Sequence, residues 1–415
     1  MKKITVIVDG QGDIEVDVGT TLEQLSKKFK DRYSSTIVAA TVNNHLRELS
    51  FPIQEHCNVK FLDLTTADGL RVYTRSLAFL FIRASKEVLP GCRVTVEHSL
   101  SKGLYCEIHY ERPIEETDVR KIEERMRDIV KEDVPFVKDN ISVAEAKEIF
   151  KREGLESKVK LLDFRKDQRV NIYSCGDLKD YFYGYMVPST GYLKLFELKH
   201  YAAGVIVRYP EISDPNRIPP FVEQKKLASI FRESERWGQI MELPYVANLN
   251  EFILHKKHPE LIRIAEALHE KKVAQIADEI TKEGKRIILI AGPSSSGKTT
   301  FAQRLAIQLK VNGLRPVSIS TDDYFVDREH TPKDEWGEYD FESIEAVDLE
   351  LFNEQLSKLL QGEEVEIPIF NFQKGAREFR GRIMKITSDQ PIIIEGIHGL
   401  NERLTEGVPS DQKFK

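Results

Sequence analysis

Apolar and polar positions alternate with a period of two in Lys3–Val8 and again in residues 14–18, Ile-Glu-Val-Asp-Val. Two such runs around Asp9-Gly10-Gln11-Gly12 predict a β-hairpin. The spacing then turns helical: Leu22, Leu25 and Phe29 share one face, behind Thr20 and Thr21, whose hydroxyls suit an N-cap. Short β-rich runs at 37–42 and 58–62 complete a small β-grasp pattern. A proline-rich connector at 212–222 precedes two helical segments, at 222–236 and 260–281. In the second, Leu261, Ile264, Ala265, Leu268, Val273, Ile276 and Ile280 recur at helical spacing, and Gly284 ends it. Beyond it, Ile287-Ile-Leu-Ile is apolar on both faces, as a strand buried in a parallel sheet should be. Runs at 316–320 and 391–395 read the same way. The helix after the first strand carries Phe301, Leu305 and Leu309 and stops at Asn312-Gly313.

These patterns change character along the chain, and 415 residues exceed one ordinary domain, so two to four are expected. The predicted class is multidomain, α+β at the N-terminal side and α/β at the C-terminal side. With 41% hydrophobic and 31% charged residues the chain reads as globular. No apolar run approaches a membrane span, and no signal-peptide core follows Met1-Lys2-Lys3, so a cytoplasmic address without membrane contact is expected. The four cysteines are scattered, with no C-x-x-C, which argues against a disulfide framework or a zinc knuckle. A net charge of −6 argues against a general nucleic-acid-binding field, while a local basic face stays open.

Chemistry concentrates where the apolar strand at 287–291 meets the helix after it. The turn reads Gly292-Pro293-Ser294-Ser295-Ser296-Gly297-Lys298-Thr299-Thr300. Gly292 and Gly297 let the loop aim its N–H groups at phosphate oxygens, with Ser294, Ser295, Ser296 and Thr300 completing the cradle. Lys298 should reach the β- and γ-phosphates, and Thr299 offers a hydroxyl to Mg²⁺. A nucleoside triphosphate site follows. The strand at 316–320 delivers Asp322 at its carboxyl end, and the strand at 391–395 delivers Glu395. Ligands collect at such strand ends, and phosphoryl transfer needs acids both for the metal and for the acceptor hydroxyl.

With these residues in view, the C-terminal part resembles the uridine kinase and phosphoribulokinase family. The carriers are residues 292–299, Ser320-Thr-Asp-Asp-Tyr-Phe325, Tyr339-Asp-Phe-Glu342 through Asp348, Pro368-Ile-Phe-Asn-Phe372 with Arg377, and Ile392-Ile-Ile-Glu-Gly396. The resemblance implies an ATP- and Mg²⁺-dependent kinase acting on a nucleoside such as uridine. Asp322 falls on the family's catalytic base, which also organises Mg²⁺, and Glu395 on the acid that holds metal-bound water. Glu342 stands where the family has a ribose-binding aspartate. Phe370 replaces a tyrosine and Gly375 a histidine in the base-recognition segment, while Arg377 is kept.

The N-terminal half carries a second likeness. Residues 1–64 resemble a TGS domain, the ubiquitin-like module of threonyl-tRNA synthetases and certain GTPases; His45 and His56 read there as surface residues. Residues 65–211 resemble the second N-terminal domain of threonyl-tRNA synthetase. They do so through Arg75-Ser-Leu-Ala-Phe-Leu, the run at 113–126, Ala144-Glu-Ala-Lys-Glu-Ile-Phe150 and Val187-Pro-Ser-Thr-Gly191. That domain edits mischarged tRNA with two histidines and a Cys/His pair. Those four positions fall on Arg75, Phe79, Phe182 and Met186, so the editing groups are replaced. Phe79, Phe182 and Met186 are expected to fill the old pocket; a stacking surface that includes Tyr181, Tyr183 and Tyr185 is the alternative.

The expected division is therefore 1–64, 65–211, a connector with helices at 212–283, and a kinase domain at 284–415. The competing reading is a nucleotide-controlled switch that binds tRNA or the ribosome through the N-terminal half. Against it, Asn-Lys-x-Asp for guanine is missing, and Asp334-Glu-Trp-Gly337 lacks a preceding apolar strand. RNA as a partner and homo-oligomerisation stay open. With three parallel strands in view, Ile287-Ile-Leu-Ile would lie at an exposed sheet edge. The resemblance places further strands and a lid beyond residue 415, so a truncated chain, or one completed by another chain, is expected.

Overall fold

The computed structural model describes residues 2–201 and 203–415. It separates into two compact units, one ending at Lys256 and one beginning at Lys257.

In the first unit, β1 (Lys3–Val8) and β2 (Gly12–Asp17) form the expected hairpin. α1 (Leu22–Ser26) is opened by Thr21 in a reciprocal capping box with Gln24. β3 (Ala39–Val42), β4 (His45–Glu48) and β5 (Cys57–Leu62) complete a five-stranded sheet of order β2-β1-β5-β3-β4. β1 and β5 run parallel, the mark of a β-grasp. His45 and His56 are both exposed.

The α+β part follows. α2 (Ala67–Val88) leads to β6 (Arg93–Leu100), β7 (Gly103–His109) and α3 (Glu116–Glu132). β8 (Phe136–Ser142), α4 (Val143–Arg152), α5 (Glu156–Asp163), β9 (Arg169–Cys175), β10 (Leu178–Asp180), β11 (Glu197–Tyr201) and β12 (Gly204–Arg208) complete it. Two antiparallel sheets result, β10-β9-β8 and β11-β12-β7-β6. The long α2 is buried along most of its length because its apolar residues cover more than one face. α6 (Lys225–Ile240) and α7 (Val246–Leu254) end the unit; the apolar spacing located the first but not the second.

The second unit opens with α8 (His258–Glu283), closed by Gly284 in the left-handed conformation. β13 (Ile287–Ala291), α9 (Lys298–Val311) and β14 (Val317–Ser320) follow. Next come α10 (Leu349–Leu360), the short β15 (Val365–Glu366), β16 (Ile369–Asn371), β17 (Ala376–Glu378) and β18 (Ile383–Met384), then β19 (Ile392–Gly396). Val273, Ala277 and Ile280 of α8 pack with Ile288 of β13 and Leu305 of α9, so α8 belongs to this unit's core. The parallel sheet has the order β14-β19-β13-β20, where β20 is Lys413–Phe414. This corrects the sequence expectation of an unpaired edge. Ile287 pairs with Lys413 and Ile288 with Phe414, so the outer side of β13 is partly covered. A two-residue strand carries too little periodicity to be read from sequence.

Among the described residues no helix is long and apolar enough to cross a membrane, and all four cysteines are free and buried.

Candidate active site

β13, β19 and β14 end at one level. The register sets Ile290 beside Glu395 on one side and Ser320 beside Glu395 on the other. The three chains therefore leave the sheet together, at the end where open α/β sheets bind ligands.

From β13 the backbone turns into α9 with Ser295 at φ +58° and Gly297 at φ +87°. A Cβ at Gly292 would come 2.7 Å from Ser296 Oγ, so a side chain there would displace the loop. α9 begins at Lys298 without a side-chain cap, which leaves the N–H groups of its first turn free for an anion. Lys298 Nζ donates to the carbonyl of Pro293 at 3.0 Å, arching back over the loop. Ser294, Ser295, Ser296, Thr299 and Thr300 are exposed around it.

Two acids face this loop. Glu395 is 9% exposed, and its Oε1 accepts from Thr299 Oγ1 at 3.1 Å. Asp322 stands on the 3₁₀ turn Thr321–Tyr324 after β14, where its N–H donates to Ser320 Oγ at 3.4 Å. Burial pushes its carboxyl above the usual aspartate range and the charge of Glu395 pushes it further, as does Asp323, while Lys298 and His398 pull it down. A buried and a half-buried acid beside a threonine hydroxyl suit a hard divalent cation. The residues present thus fit ATP with Mg²⁺: loop and helix end for phosphates, Thr299, Asp322 and Glu395 for the metal.

The sequence reading missed how this geometry is locked. A Cβ at Gly396 would fall 1.7 Å from Thr321 Oγ1, so Gly396 lets β19 press against the buried Thr321 next to Asp322. A glycine directly after the strand acid was the available signal. His398 also went unassigned; its Nε2 is shielded from solvent with no hydrogen-bond partner among the described residues.

The acceptor-side candidates are brought near the Asp322 turn through aromatic contacts. Phe325 meets Phe370 at 5.6 Å and Phe341, the neighbour of Glu342, at 6.2 Å between ring centroids. Glu342 is exposed. Phe370, expected at the acceptor, is only 5% exposed and also packs on Phe372, so it stands as core wall. Arg377 donates to Asp348 Oδ2 at 2.7 Å, which holds its guanidinium in place. At Gly375, φ is +66° and a Cβ would come 2.8 Å from Arg328 Nε, so Arg328 occupies the space of a larger side chain.

The editing-like positions are closed instead. Phe79 is 0% and Met186 1% exposed, and Phe79 packs on Phe182 at 4.8 Å and on Phe136 at 5.8 Å. Arg75 Nη1 donates to the carbonyl of Tyr185 at 2.7 Å. Its guanidinium lies against Gly184, which has φ +107° and could not carry a Cβ there without a 2.7 Å clash. Among the nearby tyrosines, Tyr183 is 86% exposed and Tyr181 and Tyr185 are half-buried.

Fold and site define the second unit as an α/β domain with a P-loop and two acids at its strand ends. Residues 287–408 match the model of the Phosphoribulokinase / Uridine kinase family. The N-terminal half is similar to threonine–tRNA ligases. The enzyme of Rubrobacter xylanophilus is 32% identical over 194 residues, 47% of this chain and 30% of its own length. That of Desulforamulus reducens is 31% identical over 185 residues, 44% of this chain and 29% of its own. The chain thus spans about 30% of the length of these curated relatives. Among solved structures, a possible uridine kinase from Bacillus stearothermophilus is 25% identical, with 32% of this chain and 76% of that chain covered and a TM-score of 0.26.

Proposed function

We propose that the second unit transfers the γ-phosphoryl group of ATP to a hydroxyl of a small molecule, with a nucleoside such as uridine as acceptor. The observation that supports this best is the meeting of Thr299 and Glu395 at 3.1 Å beside the uncapped start of α9, with Asp322 on the adjoining strand end. Mg²⁺ bound with ATP neutralises the charge that develops on the phosphates. Lys298 adds a fixed positive charge at the β- and γ-phosphates. Asp322 accepts the acceptor's hydroxyl proton as its oxygen bonds to the γ-phosphorus, and the bond to the β–γ bridging oxygen breaks to release ADP. Glu342 and Arg377 are assigned to the acceptor side, and Phe370 to the wall behind it. Residues 1–64 and 65–211 serve as TGS-like and editing-like scaffolds, the latter without editing chemistry, in a cytoplasmic protein.

The test is Asp322→Asn in the full chain. It should lose phosphoryl transfer, on the order of a thousandfold or more, while ATP affinity stays nearly intact, because the carboxylate acts in the transition state. Equal turnover of variant and wild type would remove Asp322 from the chemistry.

A further inference from the structure

Away from the P-loop, the first unit contains a cavity of about 720 Å³ between β11 and the start of α6. Lys199, His200, Tyr201, Phe221, Lys225 and Arg232 line it, together with Glu223. Three fixed cations and an imidazole therefore face one carboxylate, in a chain whose net charge is −6. That carboxylate is engaged by Lys225 at 3.5 Å. Lys199 and Arg232 make no ion pair among the described residues. The acid that feels Lys199 and His200 from α3, Glu116, is taken by Arg120 at 2.7 Å.

The cavity's wall is set rather than loose. Lys199 Nζ sits 4.5 Å from the centre of the Phe221 ring, and the guanidinium of the buried Arg208 lies 5.7 Å from the same centre. His200 Nε2 is shut off from solvent and has no hydrogen-bond partner among the described residues. α6, sixteen residues long, starts at Lys225 without a side-chain cap, so its positive end and free N–H groups add to the same field. The volume falls in the range of small-molecule sites. A polyanion such as RNA would need a track of cations running beyond one cavity, and the overall negative charge opposes that.

We propose that this cavity is a second anion site, which binds the phosphate monoester of a small molecule. Lys199, Arg232 and the start of α6 hold the phosphate. The site is independent of the P-loop and of the reaction assigned to it.

Calorimetric titration of the full chain tests this, with ribose 5-phosphate as probe, ribose as neutral control and a 12-nucleotide single-stranded RNA as the diester arm. Ribose 5-phosphate should bind with one equivalent and ribose should not. Lys199→Gln/Arg232→Gln should weaken binding by about tenfold or more, since two charges at the anion are removed. Lys199→Glu/Arg232→Glu should abolish it. Lys298→Ala should leave this binding in place, and the glutamine pair should keep wild-type circular dichroism and kinase turnover. Binding lost only in Lys298→Ala would place the phosphate in the P-loop and overturn the proposal. No binding of ribose 5-phosphate, undiminished binding in the charge-reversed pair, or capture of RNA alone would overturn it equally.

Discussion

Two pockets in this chain teach opposite lessons about polar groups. At the four editing positions, Phe79 and Met186 are sealed in the core, Phe182 covers Phe79, and the one charged residue among them, Arg75, bonds to a carbonyl. Among those four positions no buried polar atom is left without a partner. At the P-loop, Asp322 and Glu395 are brought together with burial and like charge raising the carboxyl of Asp322, and a helix end is left without a cap. Such an arrangement is unfavourable by itself and becomes favourable when phosphates and a cation complete it. Fold is retained in both regions, but polar groups that a ligand would complete gather in one.

The largest effect that would break this contrast is at Lys298. Lys298→Ala should reduce turnover by about a hundredfold or more and weaken ATP binding, since the charge at the β- and γ-phosphates is lost. Unchanged turnover with unchanged ATP affinity, in steady-state kinetics and titration, would mean the loop is not the phosphate site.

Next in size is the filled pocket. Phe79→Ala removes a fully buried ring from the centre of its cluster and should destabilise the first unit by about 3–5 kcal/mol in urea unfolding. Less than about 1 kcal/mol would mean that the pocket is loosely filled. Gly184→Ala should cost about 1–3 kcal/mol in the same assay, from its left-handed backbone and the Arg75 guanidinium beside it.

A smaller effect concerns pH. The raised carboxyl of Asp322 must lose its proton to act as base, so kcat/KM should rise as pH climbs through a value above the ordinary aspartate range, about 3.9. The acid limb should therefore lie above that range in wild type. A limb at or below about pH 4 would remove either the shift or the role.

Much of this contrast was legible in the sequence, for reasons visible in particular residues. Gly292, Gly297, Lys298 and Thr299 lie within a few positions of one another, between a strand and a helix that local apolar spacing predicts. Asp322 and Glu395 were legible because each closes an apolar run, and sheet register then brings them together. The four substituted editing positions were legible through resemblance, and the packing of Phe79, Phe182 and Met186 agrees with the core reading. What stayed hidden depends on long-range fit. The clash that makes Gly396 necessary lies against Thr321, in the turn after another strand, and the side chain nearest Gly375 is Arg328 from a distant loop. Phe370 carries no mark of burial, because two other aromatic residues, Phe325 and Phe372, pack on it only after folding. β20 pairs only two residues and was missed for the same reason.

The central claim is that the P-loop unit performs phosphoryl transfer to a small hydroxyl acceptor while the editing-like region performs none. Its most direct test incubates the full chain with Mg²⁺ and γ-labelled ATP against a panel of nucleosides and related sugars, with mischarged threonine tRNA as a parallel substrate. The account predicts label transferred to at least one nucleoside, with ADP formed in equal amount, and no deacylation. Deacylation of the tRNA, or ATP consumption with no labelled acceptor anywhere in the panel, would contradict it.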